Sequence, residues 1–292
     1  MVSIAPRLGS SFTEVGRSLR QPRILITVMV LTAISIVWIY PFLWMLGASV
    51  KKPLEIFAGG LGILPAQWQW HNYGRAWTDA HFGRYLLNTV IVTGGATLLT
   101  LTQCALTGYV LGRYSFIGKR VIIGVLLATL FIPAGYTIIP LVEMAERLGM
   151  LNSLWGMIVI LGGPGHTAAI LLFAGYFSQI PKELEEAAIL DGAGFFQVFW
   201  RIMLPLAKPV MATVTILTFL GVWNNFFVPL VFTFSRPELR TLSVGMLAFV
   251  GQHETDRSGM AAGATISLVP VMIVFLLLQR YYIEGIAGAV KS

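Results

Sequence analysis

Long apolar stretches alternate with shorter polar ones along most of the 292-residue chain. A helix needs about 20 apolar residues to cross the hydrocarbon of a bilayer. Six stretches reach or approach that length: residues 24–50, 86–111, 121–142, 154–177, 209–234 and 261–278. None of them contains Asp, Glu, Lys or Arg. The pattern predicts an all-α integral membrane protein with six transmembrane helices, in a single domain over residues 1–292.

Composition narrows the class of protein further. Hydrophobic residues make up 56% of the sequence and charged residues only 11%, against roughly 25% charged residues in an ordinary soluble domain. Such a chain is too apolar to be disordered. Its single cysteine, Cys104, excludes a scaffold held by intramolecular disulfides. What remains is an integral membrane protein, with the lipid bilayer as its surroundings.

The basic residues indicate how the chain is oriented. A net charge of +7 would suggest nucleic acid as the partner of a soluble protein, but here the charges flank the predicted spans, and we predict no nucleic-acid partner. Six spans put both termini on one side, and that side holds twelve of the 20 Lys and Arg residues. The positive-inside rule then predicts cytoplasmic termini in a bacterial-type inner membrane. The twelve are Arg7, Arg17, Arg20, Arg23, Arg113, Lys119, Arg120, Lys182, Arg201, Lys208, Arg280 and Lys291.

Ionisable groups are nearly absent from the predicted spans, where His166 is the one titratable group of note. Proton-coupled carriers usually need intramembrane carboxylates, and voltage sensors need arginines. The sequence therefore argues against both classes, although a sodium site built from backbone carbonyls stays open. The four His residues lie far apart without metal-ligand spacing, so we predict neither a metal site nor a catalytic site.

Helix-breaking residues interrupt several spans near mid-depth. The third contains Pro133, Gly135 and Pro140, and the fourth contains the run Gly-Gly-Pro-Gly-His at residues 162–166, with Pro164 at its centre. Lipid cannot satisfy the backbone groups that a break sets free. Residues 162–166 are therefore predicted to face a protein interior or a water-filled cavity. The alternative is a tight turn between two re-entrant halves.

Polar residues at mid-depth are candidates for a substrate pathway. Trp223, Asn224 and Asn225 lie midway along the fifth span, where unpaired amides would cost several kcal/mol. These residues either line a pathway or hydrogen-bond a neighbouring helix, which is worth about 0.6–2 kcal/mol. The sequence leaves both interpretations open. Tyr136 and Gln103 are weaker pathway candidates.

Residues 178–208 form the loop between the fourth and fifth spans, and their sequence predicts a short helix within this loop. Pro181 suits a first helical position, acidic residues fill the opening turns, and Gly192 can adopt the left-handed conformation that ends a helix. Asp191 shares one face with Leu184 and the two alanines between them. A helix of about 11 residues is marginal alone, so it needs a surface to dock against. The aromatic segment that follows suits a membrane interface.

The same loop resembles the EAA loop of the membrane subunits of ABC importers. The pattern Glu-Ala-Ala, three residues, Gly, nine residues, Ile, one residue, Leu-Pro is met in full. It is met by Glu186, Ala187, Ala188, Gly192, Ile202, Leu204 and Pro205. The resemblance implies the ABC importer permease fold. It also implies that the short helix is a cytoplasmic coupling helix, which sits in a cleft of a partner ATPase.

The resemblance extends from about Ile24 to the end of the sequence. Within the ABC importers, the sequence is most similar to the carbohydrate-importing, maltose-type permeases. One position departs from the family: Asn225 stands where such sequences often have an acidic residue after Trp-Asn. That departure removes a charged contact from the predicted pathway. The segments that carry the resemblance are YPFLWMLGASVKK (40–52), GYVLGRYSFIGKR (108–120), LGMLNSLWGMIV (148–159), GVWNNFFVPLV (221–231) and QRYYIEGIAGAVKS (279–292).

The sequence predicts no nucleotide site in this chain. Its single Gly-Lys pair, Gly118-Lys119, has Arg113 five residues before the glycine and Arg120 after the lysine, so the phosphate-loop pattern fails. We therefore predict a transport subunit that is no enzyme and binds no cofactor. The resemblance implies two partner ATPase subunits that bind ATP and Mg²⁺, a second permease subunit that is a sister chain, and an extracytoplasmic substrate-binding protein.

Two alternative functions remain at this stage. One is a self-sufficient secondary carrier or channel, which the full EAA pattern and the lack of intramembrane charge disfavour. The other is an ABC importer of glycerol phosphate or another polyol. Trp223, Tyr136 and the neutral amides suit an uncharged sugar or polyol, whereas an anion would prefer a basic pathway.

Overall fold

The computed structural model describes residues 22–58, 60–163, 165–251 and 255–289. Within these ranges the chain is helical and forms no β-strand apart from one isolated bridge between Val250 and Thr255. Three 3-10 turns (Ala134–Thr137, Pro237–Leu239 and Met246–Phe249) and a π turn (Phe199–Met203) lie between or within the helices. The helices are α1 Pro22–Ser49, α2 Pro53–Ala58, α3 His71–Thr78, α4 Phe82–Arg113, α5 Lys119–Thr129, α6 Ile138–Arg147, α7 Leu154–Gly162, α8 Thr167–Gln179, α9 Glu183–Leu190, α10 Phe195–Val198, α11 Leu204–Leu206, α12 Lys208–Trp223, α13 Phe227–Phe232, α14 Leu242–Gly245 and α15 Arg257–Ala289.

Three helices are long and apolar enough to cross a bilayer, and they coincide with the first, second and sixth predicted spans. Two further helix pairs pass the same test if each bent pair counts as one span. One pair is α7 with α8, bent by 53°, and the other joins the segment Phe195–Leu206 to α12 at 79°. The described residues thus offer three to five spans, and the count of six stays a prediction. The three straight ones are Ile24–Ser49, Phe82–Arg113 and Arg257–Gln279.

The third predicted span, residues 121–142, is divided rather than continuous. Helix α5 ends at Thr129, a 3-10 turn follows, and α6 begins at Ile138. Pro133 has extended backbone dihedrals (φ −64°, ψ 129°), and a proline also disfavours helical geometry in the residue before it. The break therefore falls where the sequence placed a proline and a glycine together.

The fifth predicted span, residues 209–234, is divided as well, because α12 ends at Trp223 and α13 begins at Phe227. Pro229 has no N–H to donate to the carbonyl four residues earlier, which belongs to Asn225. That carbonyl accepts instead from the hydroxyl of Ser243, at 2.6 Å. The proline in the apolar run, together with a hydroxyl from another part of the chain, explains the break.

Helix α4 lies at the centre of the bundle. It packs against α7, α8 and α12, while α15 packs against α1 and α12. Helix α1 presents an almost entirely exposed apolar surface, as a helix in contact with lipid would. The loop of residues 178–208 packs at the Arg113 end of α4, which we call the EAA end. Residues 73–80 and 242–249 pack around its Phe82 end, which we call the opposite end.

Candidate functional site

The EAA end is built around the short helix α9. Three acidic residues fill its first turn, where the helix dipole stabilises negative charge. After Asp191 the chain turns at Gly192, which has φ +84°, the left-handed conformation that the sequence predicts. The amide of Gly192 donates to the carbonyl of Ile189 at 2.9 Å, and that of Ala193 donates to Ala188 at 3.0 Å. This turn ends the helix and directs the chain into the aromatic segment.

The aromatic segment does not present its aromatic side chains to one surface. It contains α10, the π turn Phe199–Met203 and α11. Phe199 and Met203 are fully buried in a cluster that also holds Tyr109 and Phe177. Phe196 is 65% exposed and Trp200 is 50% exposed. The segment therefore packs against the bundle on one side and leaves two aromatic rings exposed, and its location at a membrane interface stays a prediction.

A buried ion pair joins α9 to the end of α4. The guanidinium Nε of Arg113 donates to Oε2 of Glu185 at 2.7 Å, and the two side chains are only 4% and 11% exposed. The hydroxyls of Tyr109 and Tyr114 donate to the other carboxylate oxygen, Oε1, at 2.6 and 2.9 Å. Nη1 of Arg113 also donates to the carbonyl of Ile180, just before α9, at 2.6 Å. Both carboxylate oxygens and the start of the helix are thus held.

Two opposing effects set the pKa of Glu185. Burial raises the pKa of its carboxyl, but the hydrogen bonds from Tyr109, Arg113 and Tyr114 and the positive charge of Arg113 outweigh burial. The pKa therefore lies below its usual value, so the carboxylate is ionised at neutral pH. Glu185 and Arg113 form a charged pair under ordinary conditions.

The residues of the EAA pattern divide between the inside and the outside of this chain. Ala188 is buried, and Ile202 and Leu204 are partly buried in the same cluster. The other four positions of the pattern and Asp191 are exposed. They are Glu186, Ala187, Gly192 and Pro205. Their contacts with a partner stay a prediction.

The outward surface of α9 combines acidic and apolar side chains. Leu190 is 88% exposed, and Leu184 and Ile189 are about half exposed. Exposed leucine and isoleucine beside the carboxylate of Glu186 form a small mixed surface that the described residues leave uncovered. Such a surface fits a partner protein better than water.

The break in the fourth predicted span is stabilised from α4. The amide of Gln103 donates to the carbonyls of Gly162 and Gly163, and the hydroxyl of Thr100 donates to Gly162 at 3.0 Å. These bonds satisfy carbonyls at the end of α7, which the sequence predicts must face protein or water. Pro164 lies outside the described residues. Gln103 is therefore a partner of the broken backbone, and a pathway contact by this residue stays a prediction.

The side chains of Asn224 and Asn225 bond locally rather than across helices. The amide of Asn224 donates to the carbonyl of Leu220 at 2.9 Å, and Oδ1 of Asn225 accepts from the amide of Val228 at 3.1 Å. Both contacts are made within the interrupted segment itself. They stabilise the end of α12 and the start of α13 instead of bonding a neighbouring helix, and the pathway interpretation stays a prediction.

The same two asparagines border different cavities. Asn224 and Trp223 line one of about 400 Å³, and Asn225 and His166 line another of about 350 Å³. Trp223 is itself largely buried: its indole N–H donates to the carbonyl of Ser267 at 3.2 Å. Tyr136 lies on a 3-10 turn with 80% of its surface exposed. A pathway lined by these residues stays a prediction.

Sequence reasoning missed Glu185, Arg113 and Tyr109 as functional candidates. Tyr109 and Arg113 are four residues apart at the end of an apolar helix, so they share one face. That spacing is a signal that a polar partner lies nearby. The partner itself is 72 residues further along the chain, and the pattern around Glu185 does not distinguish it from its acidic neighbours.

Comparison with known proteins gives a consistent result. The family model described as "Binding-protein-dependent transport system inner membrane component" matches residues 105–287. The diacetylchitobiose uptake system permease protein NgcG of Streptomyces coelicolor is 36% identical over 260 residues, which are 88% of this chain and 84% of that protein. The melibiose/raffinose/stachyose import permease protein MelC of Bacillus subtilis is 33% identical over 254 residues, 86% of this chain and 91% of that one.

A solved structure resembles the whole bundle. It is the crystal structure of a bacterial ABC transporter involved in the import of the acidic polysaccharide alginate. One of its chains superimposes with a TM-score of 0.77 at 25% sequence identity. The match covers 90% of this chain and 98% of that chain. The relatives and this structure agree with the resemblance that the EAA pattern carries.

Proposed function

This chain belongs to the family of binding-protein-dependent transport system inner membrane components, and from that premise we propose that it is the transmembrane subunit of an ATP-driven importer of a sugar or oligosaccharide. The observation that carries the proposal is the EAA loop, whose helix α9 is firmly held on its inner side and uncovered on its outer side. The cargo follows from the relatives, whose names specify diacetylchitobiose and melibiose, raffinose and stachyose.

The energy would come from partner subunits. Two ATPase subunits would bind ATP and Mg²⁺, and each would dock on a coupling helix, here α9 with Glu186 at its surface. When the ATPases close on ATP, the helix moves with the surface it contacts, and the bundle changes between inward-facing and outward-facing states. A sister permease chain would complete the pathway, and a substrate-binding protein would deliver sugar at the opposite end. This arrangement puts both termini and the EAA end in the cytoplasm.

The two mid-depth cavities support an uncharged cargo. Hydroxyls, amides and aromatic rings can replace the hydration of a sugar, and the lining residues include Trp223, Asn224, Asn225 and Ser243. Neither lining contains Lys or Arg, so the cavities favour a neutral sugar over glycerol phosphate or another anion. A neutral polyol remains the second candidate within the same transport class. A secondary carrier or channel would have no use for the docking surface of α9.

Charge reversal on the outer face of α9 tests the docking. Glu186→Lys places a cation on the outward surface and removes its charge-assisted bonds, which would cost about 1–3 kcal/mol of docking. We expect less ATPase to copurify with the tagged chain, while insertion into the membrane is unchanged. Glu146→Lys, the same change on an exposed residue of α6, is the control. Equal recovery of ATPase with both variants would contradict the proposal.

Cysteine accessibility tests the pathway separately. After Cys104→Ala, a cysteine at position 224 should react with a membrane-impermeant thiol reagent in at least one nucleotide state, because Asn224 is exposed to a cavity. A cysteine in place of Ala212, which is buried in α12, should not react. Failure of position 224 to react in every state would remove Asn224 from the pathway without affecting the docking proposal.

A further inference from the structure

The inner side of α9 carries a polar cluster with no counterpart in the EAA pattern. We call Glu185, Arg113, Tyr109 and Tyr114 the Glu185 cluster. Glu185 lies next to Glu186 in sequence but points the other way, into the bundle, where it is 8% exposed as a whole residue. Its two carboxylate oxygens have separate partners, the phenols on Oε1 and the guanidinium on Oε2. The cluster therefore fixes the orientation of α9 as well as its distance from α4.

Stability alone is a poor reason for such a cluster. Burying two charges costs desolvation energy, and well-packed apolar residues of similar size often stabilise a protein as well or better. The surrounding cluster already supplies apolar packing from Phe177, Phe199 and Ala188. What a charged, multiply bonded pair adds is a defined geometry, because each bond constrains a direction. A defined geometry between two helices is needed where movement of one helix has to move the other.

Arg113 holds the loop at two points. Besides Glu185 in α9, its guanidinium binds the carbonyl of Ile180, and it approaches that of Pro181 at 3.4 Å. The residues just before α9 and the third residue of α9 are thus tied to Arg113, the last residue of α4. A displaced α9 cannot move away from α4 without breaking several charge-assisted bonds in a buried environment.

Helix α4 extends from this cluster to the opposite end. It has 32 residues, which corresponds to about 48 Å. At its far end the amide of Asn88 donates to the carbonyls of Glu238 and Arg240, both at 2.9 Å. The hydroxyl of Thr89 accepts from the amide of Leu242 at 2.8 Å. One continuous helix is therefore hydrogen-bonded to a loop near each of its ends.

We propose that Arg113 and Glu185 are positioning residues that fix α9 to α4, so that displacement of α9 moves α4 and the loop bound at its far end. The inference rests on the proposed function, because it requires an ATPase docked on the outer face of α9. It assigns to α4 the transmission of movement between the EAA end and the opposite end. It assigns to the buried ion pair of Arg113 and Glu185 the role of fixing α9 to α4.

Distance measurement by pulsed electron paramagnetic resonance tests directly whether α9 is fixed to α4, a connection that we call the joint. With Cys104→Ala as background, spin labels are attached at Lys182→Cys, at the start of α9, and at Leu98→Cys on α4. Both positions are exposed, and neither belongs to the outward surface of α9 that holds Leu190 and Glu186. The sample is the complete complex purified with its ATPase through a tag on this chain. We expect one narrow distance, unchanged between the nucleotide-free complex and the complex with Mg-ATP and vanadate. A distance that changes between these states in the unsubstituted complex would overturn the inference.

Removing the carboxylate should release the joint and leave the docking surface intact. In Glu185→Ala we expect the narrow distance to be lost and to become dependent on nucleotide, with the same amount of ATPase recovered. Glu183→Ala, which removes an exposed carboxylate two residues away on α9, should retain the narrow distance. A narrow, nucleotide-independent distance in Glu185→Ala would overturn the inference.

A double substitution separates positioning from stability, since Glu185→Ala leaves the guanidinium of Arg113 buried and unpaired. Arg113→Leu with Glu185→Leu removes both charges and keeps apolar volume. We expect this variant to recover thermal stability but not the narrow distance. Recovery of both would show a merely structural pair and overturn the inference. If no ATPase accompanies even the unsubstituted chain, the proposed function itself fails, a result seen before any cluster residue is changed.

Discussion

Each end of the bundle contains an ion pair of the same length in very different surroundings: one joins the EAA loop to helix α4, and the other joins α3 to the residue before α15. Arg113 and Glu185 at the EAA end are 2.7 Å apart with side chains 4% and 11% exposed. Arg75 and Asp256 at the opposite end are also 2.7 Å apart, but their side chains are 38% and 27% exposed. Water screens the second pair and hardly reaches the first. The two ion pairs therefore differ in burial and not in distance. The buried pair of Arg113 and Glu185 is rigid, and the partly exposed pair of Arg75 and Asp256 is more easily rearranged.

The partners of each pair show the same contrast. Arg113 is bonded to a carboxylate and to loop carbonyls inside a cluster of aromatic rings. Arg75 bonds Asp256 and the side-chain oxygen of Asn72, whose amide in turn holds the carbonyls of Ser49 and Lys51. The opposite end thus combines a partly exposed ion pair with buried bonds from the amide of Asn72 to two carbonyls. The exposed ion pair can be broken at small cost, whereas the buried pair at the EAA end cannot.

The largest expected effect is loss of the buried guanidinium. Arg113→Ala leaves the carboxylate of Glu185 buried without its cation, and we expect a loss of about 3–5 kcal/mol in the free energy of unfolding. Arg75→Ala should cost about 0.2–1 kcal/mol, as for other partly exposed pairs. Thermal unfolding of the detergent-purified protein measures both. Similar losses in the two variants would contradict the distinction between the ends.

Close helix packing at the EAA end should give the next largest effect. A Cβ on Gly108 of α4 would lie 2.4 Å from Cβ of Phe173 and 3.0 Å from the amide nitrogen of Ala174 on α8. Because neither atom can rotate away, Gly108→Ala should cost about 1–3 kcal/mol through overpacking. The control is Gly94→Ala on the same helix, where a Cβ meets nothing within 4 Å.

The opposite end offers a matched comparison for that substitution. A Cβ on Gly245 would lie 2.4 Å from Cδ2 of Tyr85, which is a ring atom and not backbone. Rotation of the ring can relieve part of the overlap, so we expect Gly245→Ala to cost less than Gly108→Ala. A larger loss for Gly245→Ala, measured by thermal unfolding, would show that the opposite end is the more rigidly packed of the two.

The turn after α9 should show an effect of about 1–2 kcal/mol. Gly192 has φ +84°, and a Cβ there would meet nothing within 4 Å. Any cost of substitution is therefore backbone strain, which is about 1–2 kcal/mol for a β-branched residue in the left-handed region. We expect Gly192→Val to reduce uptake and ATPase recovery more than Gly192→Asn, because Asn tolerates this conformation. Equal activity of the two variants would exclude a functional need for the turn.

The smallest effect concerns pH. Burial raises and the hydrogen bonds lower the pKa of Glu185, with a net value below the usual 4.5. A depressed pKa means that the ionised carboxylate stabilises the fold fully above about pH 4.5 and that this contribution is lost as the pH falls through the lower folded-state value. The stability difference between wild type and Glu185→Gln should therefore be constant from about pH 5 to 8 and shrink only in stronger acid. A change near neutral pH would mean that the pair is not ionised as described.

Local sequence signals determined most of the helical architecture and one half of the site. Runs of about 20 apolar residues gave three long helices, since span length and hydropathy are properties of consecutive residues. The acidic first turn of α9 and the left-handed Gly192 were also predictable, because capping and backbone preference act within a few residues. The EAA pattern identified the family for the same reason, because all of its positions lie within one loop of consecutive residues.

Tertiary structure decided what those elements touch. Which of two adjacent glutamates turns inward depends on Arg113, 72 residues earlier, and no local pattern specifies that pairing. The predicted break at Gly162 needed partners, and only the packed bundle supplies Gln103 and Thr100. Sequence periodicity indicates the buried face of a helix and its length, whereas a buried polar group bonds whichever partner the fold brings within hydrogen-bond distance. For that reason the pairing of Arg113 with Glu185 became visible only in the three-dimensional structure.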